Sequence, residues 1–176
     1  MRTVRPDRLA AQIDGPFVVF LIGMRVNKPW KVRAWVPTFI AMPRMLKELD
    51  EDPASGFLGA EGGLGTIIQY WRTFEDLERY ANSRDREHWP AWRAFNQRVR
   101  DHRGDVGIWH ETFRVEAGAY EAIYSGMPPR GLGRVGRLVP ATGRRETAAQ
   151  RMAGVAAPPA PRSAPAAPGA GRTPSG

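Results

Sequence analysis

Residues Phe17-Val-Val-Phe-Leu-Ile-Gly-Met-Arg-Val26 carry apolar side chains at both odd and even positions. Successive side chains of a strand point to opposite faces, so a run that is apolar in both registers suits a strand covered on both sides. Whatever this chain folds into must place a layer on each face of that strand. The strongly apolar part, residues 17–24, is far short of the ~20 residues that span a bilayer as a helix, so no membrane span is expected.

The pattern around this strand supplies the layers. Residues 30–35 read as a connector. Residues 37–49 put Phe39, Met42, Met45, Leu46 and Leu49 at helical spacing, with Lys47, Glu48 and Asp50 outward. Pro37 fits a first helical turn, and Pro43 predicts a kink or break. Residues 56–61 form a short strand, Gly62-Gly63 a tight turn and residues 64–71 a second strong strand. Thr73-Phe-Glu-Asp76 resembles a capping box that opens a helix over Phe74–Asn82. Residues 86–101 continue helically, with Trp89, Trp92, Phe95 and Val99 on one face. Val106–Val115 is a strand, and residues 120–124 extend the sheet after a turn at Ala117-Gly118. The order β-α-β-β-α-β is the split βαβ arrangement of a ferredoxin-like α+β domain. Helices would cover one face of a four-stranded antiparallel sheet. The other face, apolar by pattern, would lie bare in a monomer. An exposed apolar face of that size marks an interaction surface, so a homodimer packed sheet against sheet is expected.

The 176 residues divide into a domain over 1–125, a basic extended arm over 126–152 with a short helix near 147–152, and a tail over 153–176. The tail is almost wholly Ala, Pro, Gly, Ser and Arg, a composition that predicts disorder. The net charge of +8 is uneven. Residues 126–176 hold eight arginines and one acid, Glu146, which leaves 18 bases and 17 acids in the rest. The domain is thus almost neutral, so no specific nucleic-acid partner is expected and the basic arm reads as solubilising. The absence of cysteine excludes disulfides, thiolate zinc sites and cysteine nucleophiles. Residues 1–15 lack an apolar signal core, and a cytoplasmic location is expected.

Few motifs carry chemistry. Gly131-Leu-Gly133-Arg-Val-Gly136 spells a dinucleotide fingerprint, but Arg137-Leu-Val-Pro140 follows where a helix is needed and no acid stands near the required distance. It reads as a chance match among 19 glycines. The histidines His88, His102 and His110 have no metal-ligand spacing. His102 sits in a polar turn. His110 and Glu111 lie adjacent in a strand and therefore face opposite ways. His110 either satisfies a structural hydrogen bond or serves a site as base, acid or haem ligand. It is expected toward the helices, with Glu111 toward a dimer partner. The aromatics Trp30, Trp35, Tyr70, Trp71, Trp89, Trp92, Phe95 and Trp109 either pack the core or line a pocket for a flat apolar ligand. Asn96, one turn beyond Trp92, either aims inward or faces water.

Several blocks resemble one bacterial and fungal family. They are Phe17-Val-Val-Phe-Leu-Ile-Gly-Met-Arg25, Ala41-Met-Pro-Arg-Met45, Gln69-Tyr-Trp-Arg-Thr-Phe-Glu-Asp-Leu77, His88-Trp-Pro-Ala-Trp-Arg-Ala-Phe-Asn96, Gly107-Ile-Trp-His-Glu-Thr-Phe113 and Met127-Pro-Pro-Arg-Gly-Leu132. The family, formerly of unknown function, is grouped with the polyketide monooxygenase of the fumagillin pathway. It is similar to the antibiotic-biosynthesis monooxygenase class with its dimeric α+β barrel. The resemblance spans about residues 3–152. It implies oxidation of a small aromatic or polyketide-type substrate by O2, often without cofactor, through a substrate anion formed by a base. His110 is the first candidate for that base and His88 the second. Trp35, Tyr70, Trp92 and Asn96 would shape the substrate pocket. The same fold also hosts haem enzymes such as aldoxime dehydratases, in which His110 or His88 would ligate iron. A dimeric binding protein that sequesters an apolar metabolite without catalysis is the alternative of another class.

Overall fold

The structure, a computed structural model, describes residues 4–63, 65–83, 97 and 104–153. In chain order its strands are β1 (Arg5–Gln12), β2 (Phe17–Val26), β3 (Phe57–Gly63), β4 (Thr66–Trp71), β5 (Val106–Val115), β6 (Ile123–Met127) and β7 (Arg137–Pro140). The helices are α1 (Val32–Asp50), α2 (Phe74–Asn82), and the short α3 (Leu132–Val135) and α4 (Ala148–Ala153). The expected helix over 86–101, with His88, Trp89, Trp92, Phe95 and Asn96, the His102 turn and the tail from 154 onward lie outside the described residues.

Strands β2 to β5 form an antiparallel sheet in the order β3-β4-β2-β5. With α1 after β2 and α2 after β4, this is the ferredoxin-like α+β fold. The central strand is the doubly apolar run, and its parity separates two cores. Val18 and Phe20 pack with Leu49, Phe57, Trp71, Phe74, Leu77 and Tyr80 on the helix side. Trp71 is wholly buried there, and truncating such a side chain to alanine generally costs about 3–5 kcal/mol. Helix α2 starts where its capping box predicts. Thr73 Oγ1 accepts from the Asp76 N–H at 3.0 Å and donates to the Asp76 carboxylate at 2.7 Å, a cap worth about 1 kcal/mol.

Three local expectations are corrected. Helix α1 begins at Val32 and so takes Trp35 out of the connector; it also runs unbroken through Pro37 and Pro43. Its C-terminal half is anchored by Leu49, which is 2% exposed. Gly62 and Gly63 belong to β3, and the chain reverses just beyond them. Residues 123–127 leave the four-stranded sheet altogether. They pair with β1, which also pairs with β7, to make a second antiparallel sheet in the order β6-β1-β7.

The segments that flank this second sheet also correct the expectation of a bare face. Ile13, Tyr120, Leu132 and Val135 cover Phe17, Val19, Leu58, Ile68, Tyr70 and Val115 on the side away from the helices. About half of the open face is therefore clad by the chain itself. The rest, around Leu21, Trp109 and Phe113, stays accessible, with Trp109 and Phe113 42% and 49% exposed.

The Met127-Pro-Pro-Arg-Gly-Leu132 block and the glycines after it fasten this cladding. Arg130 donates through Nε and Nη2 to Glu61 Oε1 at 3.1 and 2.7 Å, and the Gly131 N–H donates to Glu61 Oε2 at 3.3 Å. The Gly133 N–H donates to the Tyr124 hydroxyl at 2.7 Å. A Cβ at Gly133 would fall 2.7 Å from the Tyr124 ring, and one at Gly136 would fall 2.6 Å from the Gln12 carbonyl oxygen. The fingerprint-like glycines are thus close-packing positions. Farther along, the buried Arg151 donates to Glu121 and, at 2.9 Å each, to the carbonyls of Arg145 and Glu146.

Glu61 gives the cladding a pH dependence. Burial raises its pKa, but the Arg130 hydrogen bond, the Gly131 N–H and Arg134 together outweigh burial and hold it below its ordinary 4.5. A carboxylate with a depressed folded pKa contributes stability above the unfolded value and loses it as pH falls through the folded one. The acid limb of urea stability, followed by circular dichroism below about pH 5, is expected to flatten in Glu61→Gln relative to wild type. Parallel limbs would show that Glu61 does not hold the arm.

Candidate functional site

The glycine-rich end of β3 lies on the helix side of the sheet, beneath the middle of α1. With few side chains there, a cavity of ≈ 290 Å³ remains. Its floor is Ile22, Met24, Ala60, Gly62, Ile67 and Ile108, its rim Gly63, Gly65 and Thr66, and its roof Phe39, Met42, Pro43 and Leu46. The lining is almost wholly apolar. A volume near the lower end of ligand-site sizes with such a lining suits a small uncharged body.

Strand register decides which candidates reach this cavity. His110 pairs with Ile22, and Ile108 with Met24. Paired residues share a face, so His110 stands on the cavity side, two residues along β5 from Ile108. Its ring lies 5.7 Å from that of Phe20 at a tilt of 39°. It is exposed rather than sealed, so it borders the cavity without lining it. Glu111 pairs with Leu21 on the opposite face, as alternation requires. Trp35 sits one ring behind the cavity. Its ring meets that of the roof residue Phe39 edge-on at 5.9 Å, and its Nε1 donates to the Pro29 carbonyl at 3.1 Å.

Tyr70 is brought elsewhere. It pairs with Val19 and Gly59, which places it on the clad face, buried with Phe17 and Tyr120. Burial first, then the nearby Tyr124 and Glu61, raise the pKa of its phenol. Burial likewise raises that of Tyr124, against the opposing Gly133 N–H. These are structural hydroxyls under the arm. His88, Trp92 and Asn96 lie outside the described residues.

The residues missed from sequence are the aliphatic and methionine lining. Gly62 and Gly63, expected as a tight turn, and Gly65, expected within the following strand, also line the cavity. Beyond the cavity, Asp105 joins the ends of β2 and β5 to the start of α1. Its carboxylate meets Lys28 Nζ at 2.6 Å and Lys31 Nζ at 2.7 Å, and its carbonyl accepts from the N–H groups of Asn27 and Lys28. Hydrogen bonds from Lys28, then Lys31, lower its pKa. Among the described residues no cluster of three or more His, Asp or Glu could hold a metal ion, and no helix is long and apolar enough to cross a membrane.

A ferredoxin-like α+β domain with an apolar pocket under its first helix is the class this geometry defines. The chain belongs to the monooxygenase af470-like family, whose model matches residues 17–132. It is 33% identical over 132 residues to Monooxygenase af470 of Aspergillus fumigatus, a match covering 68% of this chain and 46% of the relative. The chain thus spans about half the length of that curated relative. No solved structure matches.

The cavity is tested by filling it. Ala60→Phe, on the edge strand β3, is expected to weaken binding of the neutral naphthalene dye prodan at least tenfold in a fluorescence titration, with the circular dichroism of the wild type retained. Undiminished dye binding would place the apolar site elsewhere.

Proposed function

We propose that the protein is a cofactor-independent monooxygenase that oxidises a small aromatic or polyketide-type substrate with O2 in the cavity under α1. The observation that carries this reading is the apolar ≈ 290 Å³ cavity with His110 on its face of the sheet, paired to the floor residue Ile22. Family membership supports the reaction type. The aliphatic and methionine walls would hold an apolar body and exclude water. His110 would take a proton from an acidic carbon or phenol at the edge of that body. The resulting enolate or phenolate can give one electron to O2. Recombination of the radical pair forms a peroxide anion, which takes back the proton from the His110 imidazolium to give a hydroperoxide, and this loses water to leave a carbonyl. The balance is CH2 + O2 → C=O + H2O, so the substrate supplies both electrons that reduce the second oxygen atom.

Oxygen consumption with a panel of phenols and 1,3-diketones, analysed for product by mass spectrometry, tests the reaction. His110→Ala is expected to lower turnover by about 10²–10⁴-fold while prodan still binds. Unchanged turnover would remove His110 from the chemistry. Ligand-induced thermal stabilisation without oxygen uptake would favour a binding protein, and a Soret band after incubation with haem would favour a haem enzyme.

The accessible patch around Leu21, Trp109 and Phe113 is the proposed homodimer surface, smaller than a whole bare sheet face would give. Light scattering at micromolar concentration is expected to report a dimer, and Trp109→Glu a monomer. A monomeric wild type would contradict the assignment.

A further inference from the structure

Helix α1 is held at its two ends and spans the cavity between them. At its C-terminal end Leu49 is sealed into the core with Val18, Trp71, Leu77 and Tyr80. At its N-terminal end the attachment is electrostatic. Lys31, the residue before the helix, and Lys28 both reach the Asp105 carboxylate, whose side chain is 3% exposed while the lysines are 45% and 41% exposed. Cations are unfavourable beside a helix N-terminus, and α1 has no side-chain cap and no acid in its first turn. The Asp105 carboxylate is therefore the group that makes this end of the helix tenable.

Between the anchors the helix is soft. Pro37 and Pro43 cannot donate to the carbonyls four residues back, at Arg33 and Phe39. Pro43 and Phe39 are roof residues of the cavity. Val32, Phe39 and Ile40 in the N-terminal half are 51%, 39% and 54% exposed, so little apolar burial holds this half down. Local opening free energy is lowest where buried contacts are few.

We infer that the N-terminal half of α1 is the gate of the cavity, hinged at Pro43 and latched by Asp105 through Lys31 and Lys28. The inference rests on the cavity being the ligand site and is independent of the reaction performed there. Asp105 is then a positioning residue: it touches no ligand and sets how often the roof lifts. A latch that closes the roof equally over an empty and a filled cavity changes both rates of exchange and leaves the equilibrium alone. A residue that merely supports the fold would change affinity instead.

Stopped-flow fluorescence with prodan distinguishes the two. Lys31→Gln, at a half-exposed position and with Lys28 still paired to Asp105, is expected to raise the association and dissociation rate constants together, by about three- to tenfold. The dissociation constant should stay within about twofold of wild type. Asp105→Asn should act in the same direction and more strongly, and added salt should speed both phases in the wild type and less in Lys31→Gln. Unchanged rates in Lys31→Gln, or a faster dissociation with unchanged association, would overturn the gate. Dye binding that survives Ala60→Phe would overturn the cavity as ligand site and the gate with it. Dye binding lost in Ala60→Phe, with unaltered rates in Lys31→Gln, would overturn the gate alone.

Discussion

The register between β2 and β5, with Ile22 opposite His110, decides which side chains share the helix side of the sheet. In an antiparallel pair, directly opposed residues share a face, and a slip of one residue would exchange every face assignment. With the observed register the imidazole stands on the helix side beside Phe20 and the cavity floor. Glu111 and Trp109 stand on the other side. Ten consecutive pairs, from Phe17–Val115 to Val26–Val106, fix that register without a bulge. The His-Glu dipeptide is thus divided between two surfaces with different roles. One borders an apolar pocket, and the other belongs to the open remainder of the sheet.

The same register explains why β2 is apolar in both parities. Its even residues meet the helices and the cavity, while Phe17 and Val19 meet Ile13, Tyr120 and α3, the segments that flank the second sheet. The expectation of a layer on each side was right, but a second protomer was assigned a surface that is half covered from within. The reason lies in what pattern reading can detect. Strand β1 reads Arg-Pro-Asp-Arg-Leu-Ala-Ala-Gln, exposed in its first half and buried only from Leu9 onward. It has no apolar alternation to notice. Its partners β6 and β7 are five and four residues long, and lie more than a hundred residues away. Non-local pairing of short, mixed strands leaves no local trace.

What was legible was local. The capping box at Thr73, the α2 boundaries, the full extent of β2 and β5, and the separation of His110 from Glu111 all follow from side chains acting within a few residues, or from strand alternation. Tyr70 shows where such reading stops. It was grouped with the pocket aromatics because of its type. Its face depends on pairing with Val19 and Gly59, and that register places it under α3, where its phenol lies against Gly131. The cavity itself was hidden for a different reason. Its lining includes Gly62, Gly63 and Gly65, and glycines in sequence signal turns more readily than pocket walls.

The distribution of strong and weak attachment follows one logic. One apolar core lies where α1 ends and α2 begins, around Leu49, Trp71 and Leu77, and another lies on the opposite face under α3, around Phe17, Tyr70 and Tyr120. Charge pairing is concentrated at the edges: Glu61 with Arg130 and Arg134, Glu121 with Arg151, and Asp105 with Lys28 and Lys31. Apolar burial is insensitive to salt and hard to reverse, whereas partly exposed ion pairs are weak and screened. Both kinds of attachment meet around α1. The roof of the cavity spans the boundary between them. Its Leu46 end continues into the core at Leu49, and its Phe39 end is held through a helix that begins at an ion pair. That asymmetry ties one end of a single helix by apolar burial and the other by charge.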